Sequence, residues 1–483
     1  MEDTLYNIEP RVLWKHFLEL SKIPRGSGNE AAAGRYVEET ARAMGHAVIR
    51  DTAGNLLIRK NAAPGLGNRP GVVIQAHVDM VCEKNEETIH DFHKDPIKVY
   101  RDADLIRARG TTLGADNGIG VAAALALLES EGIKHGPLEI LITVDEETGL
   151  TGANAFKGGI LRGKYFLNLD SEDEGVLTIG CAGGIDTSVT RTLNLEDPVP
   201  GKIAWRMKVH GLKGGHSGID INRGRGNSIQ LLAWILHRFI PRFELELAAM
   251  DGGNKRNAIP REAFAVVQVD PDQEEALRSA LSDLQCELRK ELGAFDPGLA
   301  LSLEPVAAPA KVISAADTNA LVGFLLTAPH GVISMSPDIE ELVQTSTNLG
   351  VVETSDGKVE VTLLSRSSLD SSKMAVADRI ATLASFAGMV CVHSGGYPGW
   401  NPEPGTFLVE TMTRLYERMY GRPMAVKALH AGLECGIIGE RYPQMEMVSI
   451  GPDMRDVHTP EEYVSIPSVA RFWEFLKAVV ETL

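Results

Sequence analysis

The chain has 483 residues, 44% hydrophobic and 23% charged, which is too long for one core and points to a globular protein of two or more domains. Its 48 basic and 65 acidic residues give a net charge of −17, which argues against nucleic acid or an anionic membrane as a partner. The excess acid is either solvated surface or carboxylate gathered around cations, and position along the chain has to separate the two.

The N-terminal stretch MEDTLYNIEPRVLWKHF has acidic residues where a signal peptide is basic, and no apolar stretch follows it. No run of 18 apolar residues occurs, so no membrane span is expected. Cys82, Cys181, Cys286, Cys391 and Cys435 are far apart and odd in number, which fits free thiols in a reducing, cytoplasmic setting.

In chain order, PRVLWKHFLELSKI and NEAAAGRYVEETARAMG predict amphipathic helices, the second stopped by Gly45. AVIRDTAG, NLLIRK and GVVIQAHVDMV predict short strands, and GIGVAAALALLES a buried helix rich in small residues. LEILITVDE and KYFLNLD read as strands covered on both faces. This is the pattern of an α/β layered domain. From residue 185 the rhythm changes to β-α-β-β-α-β: IAWRMKVHG, NSIQLLAWILHRF, FELELAAM, AFAVVQVD, DQEEALRSALSDLQCELRKEL and LALSLEP, a ferredoxin-like unit. A second round follows in DTNALVGFLLTA, NLGVVETS, KVEVTLLSRSS, SSKMAVADRIATLASFAG and MVCVHSG, with its first strand expected near AKVISA. After GGYPGWNPEPG the α/β style returns with TFLVETMTRLYERMYG, PMAVKAL, MEMVSIGP and SVARFWEFLKAVVETL. The expected organisation is a catalytic domain in two parts, 1–184 and 400–483, interrupted by an inserted α+β domain at 185–399.

The chemistry collects at strand ends. His77 and Asp79, two residues apart at the end of an apolar strand, project to one face near its carboxyl end, where open α/β sheets bind ligands. A neutral imidazole binds metal through one nitrogen while a carboxylate orients the ring, a role open to Asp79; a simple His–Asp hydrogen bond is the plainer alternative. Asp116 sits in the glycine-rich turn RGTTLGADNGIG before a buried helix, where a lone acid is usually an N-cap. Asp145, Glu146 and Glu147 end another apolar strand, and three adjacent carboxylates there need either water or cations. Asp170 ends a third strand, and His458 lies in a loop after MVSI. Acids and a histidine gathered at one sheet edge, without thiolates, suit two divalent zinc or manganese ions. Asp116, Glu147 and Asp170 with a bridging hydroxide bring four negative charges against four positive ones, which removes most of the cost of burial. HDFHKDP, with His90 and His93, lies outside this pattern and reads as a solvated loop.

In order, HVD, GADNG, DEETG, NLD and VHTP resemble the zinc-dependent aminoacylase, carboxypeptidase and dipeptidase superfamily. LGADNGIGVAAALALLE, VDEETGLTGA, GGHSGIDI and HAGLECG resemble most its bacterial aminoacyl-histidine (Xaa-His, or cytosol non-specific) dipeptidases, over nearly the whole chain. The resemblance implies that His77 and Asp170 hold one ion, Glu147 and His458 the other, and Asp116 bridges both. The ions would be Zn2+, with Mn2+ or Co2+ as alternatives. It further implies that Asp79 orients His77 and that Glu146 is the general base acting on a metal-bridged hydroxide. The inserted domain would be a lid whose His216 stabilises the oxyanion, with Asn257 and Arg366 binding the substrate's backbone and carboxylate. Glu434 and Gly436 would line the pocket, Glu434 meeting a free amine. The implied activity is hydrolysis of unblocked dipeptides, including carnosine-like Xaa-His. The alternatives are an N-acyl amino acid deacylase, an aminotripeptidase, or a catalytically silent metal- or peptide-binding protein. Simpler relatives form dimers through a lid of half this length and borrow the histidine from the partner. A doubled lid would let one chain supply His216 itself, which leaves a homodimer open.

Overall fold

The computed structural model describes residues 5–483; the first four residues of the N-terminal stretch lie outside them. The chain divides into two compact units. One comprises the residues up to Gly180, Trp400–Ala428 and Leu433–Leu483, and the other comprises Cys181–Gly399 with Leu429–Gly432.

Among the described residues, the first unit is built on an eight-stranded sheet. Its order is Ala47–Arg50, Leu56–Lys60, Leu138–Thr143, Val72–His77, Tyr165–Asn168, Glu446–Ser449, Val176–Cys181 and Ala425–Leu429. The four strands from Leu138–Thr143 to Glu446–Ser449 run parallel, and the others seen in register at the edges are antiparallel. Every residue of Leu138–Thr143, Val72–His77 and Tyr165–Asn168 is buried, as the unbroken apolar runs require of strands covered on both faces. Register brings His77 opposite Thr143, Gln75 opposite Asn168, and Asn168 opposite Ser449, so the carboxyl ends of these strands share one edge. The helix Ala115–Glu129 is apolar on all sides and buried from Asn117 to Leu128. Its alanines and glycines let it lie against both the Arg11–Ser21 helix and the Val72–His77 strand. This helix starts at the same edge and delivers Asp116 there.

The second unit carries a nine-stranded sheet among the described residues, and its topology explains both rounds of the β-α-β-β-α-β pattern. The first round takes the spatial order Ala300–Pro305, Ile203–His210, Ala263–Val269, Glu246–Gly252. The second takes Val343–Ser355, Lys358–Ser367, Gly183–Thr192, Val390–Tyr397, with Gly331–Met335 added beside Val343–Ser355. The first strand of the second round is therefore Gly183–Thr192, which precedes the whole first round, and not the AKVISA segment. Val312–Ile313 of that segment pairs only with Leu195–Glu196. Gly183–Thr192 escapes a reading by hydropathy because GGIDTSVTRT is half polar, yet it pairs with ten residues of Lys358–Ser367. The two rounds are thus nested. The hairpin between Val343–Ser355 and Lys358–Ser367 turns at Asp356-Gly357, as expected, with both residues at positive φ (49° and 71°).

Candidate active site

His77, the last residue of its strand, is 1% exposed. Its Nε2 stands 3.2 Å from Asp116 Oδ1 and 3.1 Å from Asp170 Oδ1. One ring nitrogen carries at most one proton and cannot serve both oxygens, so the three atoms converge on a point better filled by a cation. Nδ1 faces Asp79 Oδ1 at 3.3 Å. The other oxygen of Asp116 stands 3.2 Å from His458 Nε2, which in turn lies 3.0 Å from Glu147 Oε2. Three overlapping donor sets result: His77–Asp116–Asp170, Asp116–Glu147–His458 and His77–Glu146–Glu147. In each, the ligand atoms lie within 4.8 Å of one another, and Asp116 belongs to the first two.

Local structure explains the convergence. Asp145 (φ 53°) and His458 (φ 63°) take left-handed backbone conformations that turn the chain sharply beside the ligands. Between them, the short helix Glu146–Gly149 starts at the two glutamates. Asp79, fully buried, accepts from Glu146 N (3.1 Å), Glu147 N (3.3 Å) and the Ser27 hydroxyl (2.8 Å), so it fixes the turn as well as the imidazole. Behind the ligands runs a belt of buried polar side chains. Glu434 accepts from Thr143 Oγ1 (2.6 Å) and from Gln75; Gln75 accepts from Asn168 Nδ2 (2.5 Å); Asn168 accepts from Ser449, and Ser449 meets Ser171 at 2.8 Å. Gln75 and Asn168 lie two residues before His77 and Asp170, so the belt supports the two ligands from beneath.

The electrostatics are those of crowded, buried carboxylates. Burial pushes the Glu146 carboxyl well above its usual value, and the Asp170, Glu147 and Glu434 carboxylates push the same way against His77. Burial likewise raises Asp170 to about 7 and Glu434 to about 7. Burial opposes protonation of His458, yet Asp116 and Glu147 push it up to about 11. Asp79 is the exception: despite burial, His77 and the Glu146 N–H hold it down to about 2. Glu147 Oε1 and Asp170 Oδ1 are buried without a hydrogen bond. Unpartnered anionic oxygens beside two imidazoles are a donor set that fits divalent metal. Glu30, Asp79 and Asp145 also cluster, but Asp79 is satisfied as above, Glu30 by Gly28 N, and Asp145 by Thr148 and Thr151.

The remaining sequence candidates are not members of these donor sets. Glu434 and Gly436 are buried at the start of the Glu434–Arg441 helix in the first unit, and Glu434 Oε1 has no hydrogen-bond partner. His216, Asn257 and Arg366 belong to the second unit. His216 pairs with Ala258 in a short ladder, and its Nδ1 accepts from Gly218 N and Ile219 N, which leaves the ring hydrogen on Nε2. Asn257 is exposed, and its carbonyl accepts from Ser217 N at 2.9 Å. Arg366 is 5% exposed, donates to Tyr397 Oη at 3.0 Å and leaves Nε without a partner. His90 is not solvated as expected: it is buried against Phe92, and neither it nor His93 joins a metal-type group among the described residues. Among the described residues no cysteine forms a disulfide; Cys181 and Cys435 are buried, Cys82 and Cys286 exposed. No helix among the described residues is long and apolar enough to cross a membrane. Sequence reasoning missed Ser27, Gln75 and Asn168 because their partners are distant in the chain and their residue types carry no signal alone.

The chain belongs to peptidase family M20/M25/M40, whose profile matches residues 73–482. Membership makes it a peptide-bond hydrolase and implies divalent metal ions, in keeping with the donor set above. The chain is 41% identical over 479 residues to the cytosol non-specific dipeptidase of Escherichia coli (strain K12), covering 99% of each. It matches the crystal structure of the aminoacylhistidine dipeptidase from Vibrio alginolyticus with a TM-score of 0.90 and 42% identity, over 100% of this chain and 99% of that one. Aminopeptidase PepT from Bacillus cereus, 17% identical with a TM-score of 0.56 over 98% of both chains, shares the fold.

Proposed function

We propose that this chain is a dinuclear zinc dipeptidase that hydrolyses unblocked dipeptides, Xaa-His among them, in the cytoplasm. The observation that carries this is the sharing of Asp116 between two three-donor sets, with Glu146 beside Glu147 and making no side-chain hydrogen bond among the described residues. His77 and Asp170 would hold one ion, Glu147 and His458 the other, and Asp116 both. When bound, the ions would polarise the scissile carbonyl and acidify the attacking water. Glu146 takes the water's proton at its carboxylate and hands it to the leaving amine. Asp79 holds the backbone of Glu146 and the ring of His77 during that transfer. In the same proposal, His216 Nε2–H donates to the developing oxyanion. The Arg366 fork takes the substrate carboxylate, Asn257 its backbone, and Glu434 Oε1 its free amine beside Gly436.

Comparing hydrolysis of Ala-His, N-acetyl-Ala-His and a tripeptide, before and after chelation, tests the reading. Turnover of the free dipeptide that vanishes on chelation and returns with zinc is expected. Undiminished turnover in metal-free protein, or a preference for the acetylated or three-residue substrate, would overturn it.

A further inference from the structure

Glu462 lies four residues beyond His458, is 2% exposed, and plays no part in the chemistry described above. Its carboxylate gathers four consecutive backbone N–H groups. Oε2 accepts from Leu113 (2.7 Å) and Gly114 (3.0 Å), and Oε1 from Ala115 (2.8 Å) and Asp116 (3.4 Å). A carboxylate that accepts from the amide of one metal-ligand candidate while standing one turn from another ties the two ligand loops together. These amides lie in the turn before the regular part of the Ala115–Glu129 helix, since Asp116 and Asn117 have non-helical backbone (ψ 113° and 33°).

Arg25 completes the tie. It is 2% exposed; its Nη1 donates to Val78 O and Asp79 O, both at 2.9 Å, and its Nη2 donates to Gly114 O. The guanidinium therefore fastens the Asp116 loop to the segment that follows His77, and its charge offsets that of Glu462 beside a carboxylate-rich cage. Gly114 (φ 70°) is the junction, since a Cβ there would fall 2.5 Å from Arg25 Nη2. One carboxylate and one guanidinium thus cross-link three ligand-bearing segments.

We infer that Glu462, backed by Arg25, is a positioning residue: it sets where His458 stands relative to Asp116, and so the affinity of the Asp116–Glu147–His458 set for its metal ion. The inference rests on the reading of these residues as metal ligands. The test is chelator-competition titration of zinc, with the visible absorption of the cobalt-loaded protein, on the full-length wild type and on Glu462→Gln, Arg25→Lys and Glu139→Gln. Glu139 is a control that is also buried, accepting from Arg162 N (2.6 Å), Gly163 N (3.0 Å) and Arg59 Nε (3.0 Å) at the opposite ends of the strands. Wild type should bind two ions. Glu462→Gln should weaken one of them about 10–100-fold and alter the cobalt spectrum, with Arg25→Lys changing the same ion in the same direction. Glu139→Gln should lower the melting temperature while leaving both affinities and the spectrum unchanged. Unchanged zinc affinities in folded Glu462→Gln would overturn the inference and leave the ligand reading standing, whereas a wild type that takes up no metal would overturn both. If Glu462→Gln does not fold, Glu462→Asp decides: its shorter arm should still weaken one ion, and wild-type affinities in that variant would overturn the inference.

Discussion

Asp79 serves two groups with one carboxylate: the imidazole of His77 on one side, and the amides of Glu146 and Glu147 on the other. Asp79→Asn keeps the volume but turns one acceptor into a donor facing those amides. Metal affinity or turnover should fall about 10–100-fold, measured by metal titration and steady-state kinetics. Glu146→Gln separates chemistry from binding. Turnover should drop about 10²–10⁴-fold while metal content per chain, read by elemental analysis, stays at the wild-type value. The residues named in HVD, DEETG and NLD were legible because each carries an unusual residue type at the end of an apolar run, whereas Asp116 and His458 stood out only through the family resemblance. Arg25 and Glu462 were not legible. Glu462 follows another glutamate in TPEEY and looks like surface charge, and only the fold brings it to amides some 350 positions earlier.

At the scale of elements, the parallel strands matter through the loops at their carboxyl ends, and these loops are packed without slack. Gly451 follows the Glu446–Ser449 strand, and a Cβ there would lie 1.5 Å from the carbonyl oxygen of Ser171, the neighbour of Asp170. Because the obstacle is backbone, Gly451→Ala has to displace the loop that carries Asp170. The expected result is a melting temperature lower by several degrees together with weakened metal uptake, seen by calorimetry and zinc titration. Most strands and helices were readable from periodicity, since burial on both faces writes unbroken apolar runs and amphipathic helices write a 3.6-residue repeat. Gly183–Thr192 was not, because glycine, threonine and other polar residues dominate GGIDTSVTRT, and the short Val176–Cys181 strand just before it was passed over.

For the whole molecule, stability responds to metal and to protons in different units. A divalent ion bound by the folded chain and present at 100 times its dissociation constant would add about 2.7 kcal/mol per site, so chelation should lower the unfolding midpoint and added metal restore it. In the second unit, burial pushes His330 down to about 4 and His430 to about 3, against an ordinary 6.5. Below pH 6.5 the unfolded chain takes up protons that the native unit refuses. This contribution is therefore complete above pH 6.5 and is lost as the pH falls toward 4. Relative to His330→Asn, which keeps an acceptor for Leu349 N, the wild-type unfolding midpoint should fall further between pH 7 and pH 5.

The nested order of the second sheet governs how the chain can assemble during synthesis. Gly183–Thr192 emerges first and waits for Lys358–Ser367 and Val390–Tyr397 on either side of it. In the first unit the edges of Tyr165–Asn168 and Val176–Cys181 stay open until Glu446–Ser449 arrives. At ribosomal speeds of about 5–20 residues per second, both sets of bare edges persist for about eight seconds or longer. Such a nascent chain is a natural client for a holding chaperone, and a transcript broken before codon 446 yields a product prone to aggregate.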